Sequence, residues 1–152
     1  MNWKKAIPLA VILLMLVISS CTLQRTQGHI DEPKNEEVKE ESEMRLLIGE
    51  TEVPVTWERN ASVSALQAMC PITIQMSKYG GFEQVGPIGR SIVRNDEQTD
   101  TDYGDIVLYS GNQIVIFYGS NSWSYTRLGH VDLSQQEMSA LLGGGDVRIT
   151  LE

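Results

Sequence analysis

The chain is short of the residues that most often announce a chemistry. Of its 152 residues, two are Cys, two are His and 12 are Lys or Arg, against 20 Asp and Glu. Two cysteines cannot build a disulfide scaffold. A formal charge of −8 and a pI near 4.7 leave no basic stripe to neutralise phosphates. That excludes nucleic acid as a partner and docking onto an anionic membrane by charge alone. His29 and His130 stand far apart in the chain, so no transition-metal site is built on them. No internal repeat is visible. A membrane-spanning run is missing as well: the apolar stretch from Ala6 to Ile18 is about 13 residues, short of the roughly 20 that cross the hydrocarbon core as a helix.

That stretch follows Lys4 and Lys5 and runs into Ser19, Ser20 and Cys21, the layout of a secretory signal. Ile18-Ser19-Ser20-Cys21 resembles the bacterial lipobox, in which an aliphatic and two small residues precede an invariant Cys. The resemblance implies cleavage before Cys21, lipid on its thiol, and a mature protein held on the extracytoplasmic side of a bacterial membrane. An uncleaved signal anchor with an incidental Cys is the alternative. Acyl chains anchor firmly because each buried methylene contributes about 0.8 kcal/mol. From Thr22 to Glu43 aromatic residues vanish and seven acidic side chains, from Asp31 to Glu43, outnumber Arg25, Lys34 and Lys39. Such a segment cannot offset its ordering entropy. As a flexible coil it spans roughly 26 Å, and His29 within it is idle. The expected organisation is a signal peptide over residues 1–20, a lipidated Cys and acidic flexible tether over 21–43, and a folded domain over 44–152.

Residues 44–152 suffice for one core. Leu46-Leu47-Ile48 and Thr51 to Trp57 flank Gly49-Glu50, a hairpin with Gly at the first turn position, as type II′ requires. Pro54 places the second strand at an edge or a bulge. Asn60 caps a short helix carrying Val63, Leu66 and Met69 or Cys70, which Pro71 ends. Ile72 to Met76 follows, then Gly-punctuated segments around Tyr79 to Val85 and a polar loop from Arg94 to Asp105. Ile106 to Tyr109 and Gln113 to Tyr118 flank Ser110-Gly111-Asn112 as a second hairpin. Ile114-Val115-Ile116-Phe117-Tyr118 is apolar on both faces, which predicts a central strand covered on both sides. Tyr125 to Val131 is another strand. Ser134 and Glu137 form a capping box for a helix through Leu142; Gly143 to Gly145 stop it, and Val147 to Leu151 closes the chain. Many short strands with two separated helices predict a mostly β, closed antiparallel barrel with a helix at each end.

Gly104 to Tyr109, Ile114 to Tyr118 and Ser124 to Val131, followed by the last helix and strand, resemble the bacterial cyclophilin-like domain family. The Leu46-Leu47-Ile48-Gly49 hairpin and the helix before Pro71 match it too. The resemblance implies an eight-stranded barrel with two short helices over residues 44–152. Prolyl isomerisation by true cyclophilins uses an arginine with a nearby Phe-Met-x-Gln segment and an apolar pocket. Pro87-Ile88-Gly89-Arg90 supplies an arginine without the rest, so no catalytic residue is assigned. The leading expectation is a membrane-tethered, non-catalytic module that binds a peptide or neutral small molecule. A peptidyl-prolyl isomerase or envelope folding helper is the alternative, and a structural subunit of an envelope assembly the third.

Site chemistry is sparse. His130 lies two residues before Asp132, yet no G-x-S-x-G elbow supplies a nucleophile. Asp96, Glu97, Asp100, Asp102 and Asp105 miss the calcium-loop pattern in every register. Gly143 to Gly145 follow a helix, whereas phosphate loops precede one. Cys70 reads as a small core residue. No metal and no cofactor are expected. Phe117, Trp123, Tyr125 and Arg127 around a Gly-Ser-Asn-Ser loop mix aromatic surface with a charged donor, as binding sites do. Met76 and Tyr79 are expected neighbours. The competing reading is that these aromatics are ordinary strand residues and Arg127 pairs with a surface carboxylate. Replacing Cys21→Ser is expected to abolish labelling by radioactive fatty acid and to release or misprocess the protein; unchanged labelling refutes the lipidation.

Overall fold

The computed structural model describes residues 43–152. The signal stretch, Cys21 and the spacer as far as Ser42 lie outside the described residues. In chain order the elements are β1 (Leu46–Ile48), β2 (Thr51–Val53), β3 (Val55–Trp57), α1 (Ala61–Gln67), β4 (Ile72–Tyr79), β5 (Glu83–Pro87), β6 (Glu97–Thr101), β7 (Asp105–Tyr109), β8 (Gln113–Phe117), β9 (Asn121–Val131), α2 (Gln135–Leu142) and β10 (Val147–Leu151). Every ladder is antiparallel. The sheet runs β2-β1-β10-β4-β5-β8-β7-β9-β3, with β6 paired to β9. Its two ends, β2 and β3, are joined through Pro54 alone, which makes a nearly closed barrel with two helices.

Ten strands replace the eight expected, for two local reasons. Pro54 has no N–H to continue a ladder, so residues 51–57 divide: β2 stays on β1 while β3 crosses to β9. The acidic stretch read as a loop contains β6, whose Thr99 and Thr101 are buried and whose intervening Asp100 is exposed. At the first hairpin Gly49 takes φ +62 while Glu50 stays at negative φ, as a type II′ turn demands. Where β5 passes β4, a Cβ on Gly86 would sit 2.6 Å from Ile74 Cγ2 and 2.9 Å from the Gln75 carbonyl, so only glycine lets the strands approach.

Both helices start where side chains satisfy their first N–H groups. Asn60 Oδ1 accepts from the Val63 N–H at 2.9 Å, and Ser134 with Glu137 completes the capping box of α2. Leu66 of α1 and Met138 and Leu142 of α2 are wholly buried in the main core. The far end of α2 is closed by the barrel itself. Gln84, wholly buried on β5, donates from Nε2 to the Leu142 carbonyl at 2.7 Å and to the Gly145 carbonyl at 2.6 Å. One carbonyl that the helix end leaves without a partner, and one from the turn that follows it, are thereby satisfied.

The core has two parts. The larger fills the barrel and includes Leu46, Met76, Ile106, Leu108, Ile114, Ile116 and Ile149. The smaller packs Val107, Val115, Phe117 and Tyr125 with Phe82 and Val85 on the other face of the same strands. Strand β8 serves both, as its continuous apolar run predicts: Ile114 and Ile116 face the first cluster, Val115 and Phe117 the second. Among the described residues no helix is long and apolar enough to cross a membrane. Gln84→Leu is expected to destabilise the domain by about 2–4 kcal/mol, because the Leu142 carbonyl at the helix end and the Gly145 carbonyl in the turn after it lose their donor; urea unfolding measures it, and a change under ~0.5 kcal/mol refutes the role.

Candidate functional site

Over the smaller cluster lies a groove of about 380 Å³. Alternation along the strands builds it. Strand β5 contributes Glu83 and Val85, β8 contributes Gln113 and Val115, and β4 and β7 add Tyr79 and Tyr109. The first half of β9, paired with β6 from Asn121 to Tyr125, adds Asn121, Trp123 and Tyr125. Tyr125 stands edge-on to two rings, Tyr109 at 6.0 Å and Phe117 at 5.8 Å between centroids, the arrangement that ring quadrupoles favour. Its hydroxyl accepts from Asn121 Nδ2 at 3.0 Å. The outermost rings are Tyr79 and Trp123, 66% and 58% exposed.

Glu83 is the polar group set among these rings. In the ladders it lies opposite Tyr79 on one side and Phe117 on the other. It is 6% exposed, and its Oε2 is enclosed without a hydrogen-bond partner. Burial in this apolar surround lifts its carboxyl from 4.5 to about 7. Its charge in turn reaches the neighbouring phenols. Burial first, and the Glu83 charge second, push up both Tyr118 and Tyr125.

The residues expected from sequence divide between three places. Tyr79, Trp123 and Tyr125 line the groove. Phe117 lies beneath it, wholly buried against Tyr125. Met76 is wholly buried in the main core; it shares the inward face of β4 with Ile74, and Tyr79, an odd number of residues on, points the other way. Arg127 is exposed beside Tyr125 but committed: Nη1 lies 3.3 Å from Asp105 Oδ2 and Nη2 donates to the Asp100 carbonyl at 2.9 Å. It borders a separate, polar groove of about 470 Å³ with Asn95, Thr99 and Asp100. His130 meets Asp105 at 3.0 Å rather than Asp132, which accepts from Thr56. The other acidic residues of that region have partners of their own: Asp96 with Thr126 and Arg94, Asp100 with Ser122. No cluster of three metal-binding side chains occurs among the described residues. Cys70 is half-buried against the main core, and burial pushes its thiol up.

Sequence reasoning missed Glu83. The one sequence signal is that Glu83 and Gln84 are adjacent, so a strand sends them to opposite faces; that both are buried follows only from the placement of β5 beside β8 in the fold.

The profile described as the cyclophilin-like family matches residues 46–152. The solution structure of a hypothetical protein from Archaeoglobus fulgidus superposes with a TM-score of 0.55 at 15% identity, covering 72% of this chain and 92% of that one. At that identity the likeness is one of fold. No curated protein matches the chain.

The raised Glu83 carboxyl carries a pH signature. Between pH 4.5 and about 7 the folded state holds a proton that the unfolded chain has lost. Its contribution is therefore complete below pH 4.5, declines as pH rises through that window, and is gone above it. Glu83→Gln is expected to match the wild type near pH 4 and to exceed its stability by about 1–3 kcal/mol at pH 8. A urea-unfolding difference that does not change with pH refutes this environment.

Proposed function

The chain belongs to the cyclophilin-like family, and from that premise we propose that it is a membrane-tethered lipoprotein displaying its barrel outside a bacterial membrane as a non-catalytic module that binds a peptide or small molecule. Cys21 and the acidic segment after it support the tether. One observation carries the binding role: an open groove walled by four aromatic side chains with a buried carboxyl among them. Its volume, about 380 Å³, is at the small end of ligand sites, roughly 300–1,000 Å³. Two of its rings are far more exposed than packing requires, and exposed aromatic surface beside polar groups is what partners use as anchors.

The isomerase alternative has less support. Weakening the prolyl amide requires a donor to the prolyl nitrogen, and no arginine lines the groove. Arg90, the arginine that the sequence offers for this role, is exposed in the segment after β5 and lies outside the groove lining, and Arg127 is held by Asp105 and the Asp100 carbonyl.

Selection of full-length protein, in detergent, against a random peptide library is expected to return ligands that Trp123→Ala weakens by about 1–3 kcal/mol. The thermal midpoint should hold, since that side chain is mostly exposed. Arg127→Ala should leave those affinities unchanged. Ligands indifferent to Trp123, or none at all, overturn the groove as the binding site. Acceleration of a protease-coupled isomerisation assay by the same protein favours the alternative instead.

A further inference from the structure

We propose that the groove is a receptor for a primary ammonium group, with Glu83 as counter-ion and the rings of Tyr79, Tyr109, Trp123 and Tyr125 as walls. The inference rests on the binding role above and names the ligand class.

The first support is the carboxyl. Glu83 is buried to 94% and lines the groove, and among the described residues no hydrogen bond or ion pair reaches its side chain. A buried carboxylate without a donor is unfavourable, and a donor entering from the groove relieves that. Second, none of the lining residues is Lys, Arg or His, so the compensating charge has to come from outside. An anion meets like charge there, and a purely apolar ligand leaves the carboxyl unpaired. Third, the four rings offer quadrupole attraction to a cation and apolar cover for the stem that carries it. The formal charge of −8 adds a long-range pull of the same sign.

The geometry also selects among cations. A guanidinium is read best by both oxygens of a carboxylate at once. Oε2 of Glu83 is enclosed, so the two oxygens are not both open to a ligand at once. A compact ammonium needs only one oxygen.

The groups facing Glu83 are phenols: Tyr79 from β4, Tyr109 from β7, Tyr118 after β8 and Tyr125 from β9. Glu97, opposite Tyr125 on β6, is exposed and accepts from Asn95. Since burial holds the Glu83 carboxyl near 7, an ammonium arriving below that pH displaces its proton to the buffer. Affinity therefore rises with pH from about 5.5 to 8.

The test titrates full-length protein in detergent with three probes by calorimetry: the capped tripeptide Ala-Lys-Ala, the same peptide with norleucine for lysine, and n-butylammonium. The lysine peptide is expected to bind about tenfold or more tighter than the norleucine peptide. It should release close to one proton at pH 6 in paired buffers of different ionisation heat. Glu83→Gln, expected to be at least as stable as wild type, should erase both the preference and the proton release, and Trp123→Ala should weaken binding while leaving the proton release in place. If n-butylammonium matches the lysine peptide, the source is a free amine; if it is much weaker, the source is a peptide. Either result supports the receptor. Equal binding of the lysine and norleucine peptides overturns the ammonium inference while leaving the binding role intact. Failure of all three probes overturns it too, whereas the binding role falls only if the peptide-library selection fails as well.

Discussion

Strand β8 has no face left for water, and most of the architecture follows from that constraint. Ile114 and Ile116 are wholly buried on the inner side, and Val115 and Phe117 are 2% and 0% exposed on the other. An antiparallel sheet normally keeps one face solvated. Here the outward face needs a second layer, and the first half of β9 supplies it by bringing Tyr125 over Phe117. That layer is small, and it does not close completely. The opening that remains between β4, β5, β7 and β9 is the groove.

Two neighbouring residues on β5 show how burial on opposite faces leads to opposite roles. Gln84 enters the barrel and spends both amide protons on carbonyls at the end of α2 and in the turn after it. Its burial is compensated on the donor side, and its role is to seat the helix. Glu83, one residue earlier, goes to the outer cluster and meets rings instead of donors. The same desolvation that Gln84 answers with hydrogen bonds is answered at Glu83 by holding a proton up to about pH 7. A polar group that the fold buries without satisfying is the natural place to look for a ligand.

Arg127 makes the reverse case. In the sequence it is a free donor flanked by aromatics. In the fold it ties β9 to β7 through Asp105 and to β6 through the Asp100 carbonyl. By alternation it shares its strand face with Tyr125, yet its guanidinium is engaged by Asp105 and the Asp100 carbonyl and it is absent from the groove lining. A shared barrel with a family does not carry an activity across when the side chains that would perform it are otherwise engaged.

The local elements were legible in the residues alone, because local chemistry decides them. Asn60 and Ser134 mark helix starts by their oxygens, Gly49 marks a turn by its positive φ, and the unbroken run Ile114 to Tyr118 announces a strand covered on both sides. Trp123 and Tyr125 stood out for the same reason, as aromatics beside a polar loop. The tertiary structure decided what depends on distant partners. Thr99 and Thr101 are polar in any window of the chain and become buried strand residues only when Asn121 to Tyr125, some 20 residues on, pairs with them. Met76 and Tyr79 look alike as candidates until the pleat sends one inward and the other out. Glu83 is an ordinary acidic strand residue in sequence. Its enclosure is the joint work of Tyr79, Phe117 and Tyr125 from three other strands, and desolvation, which sets its charge, is a property of those surroundings and not of the residue.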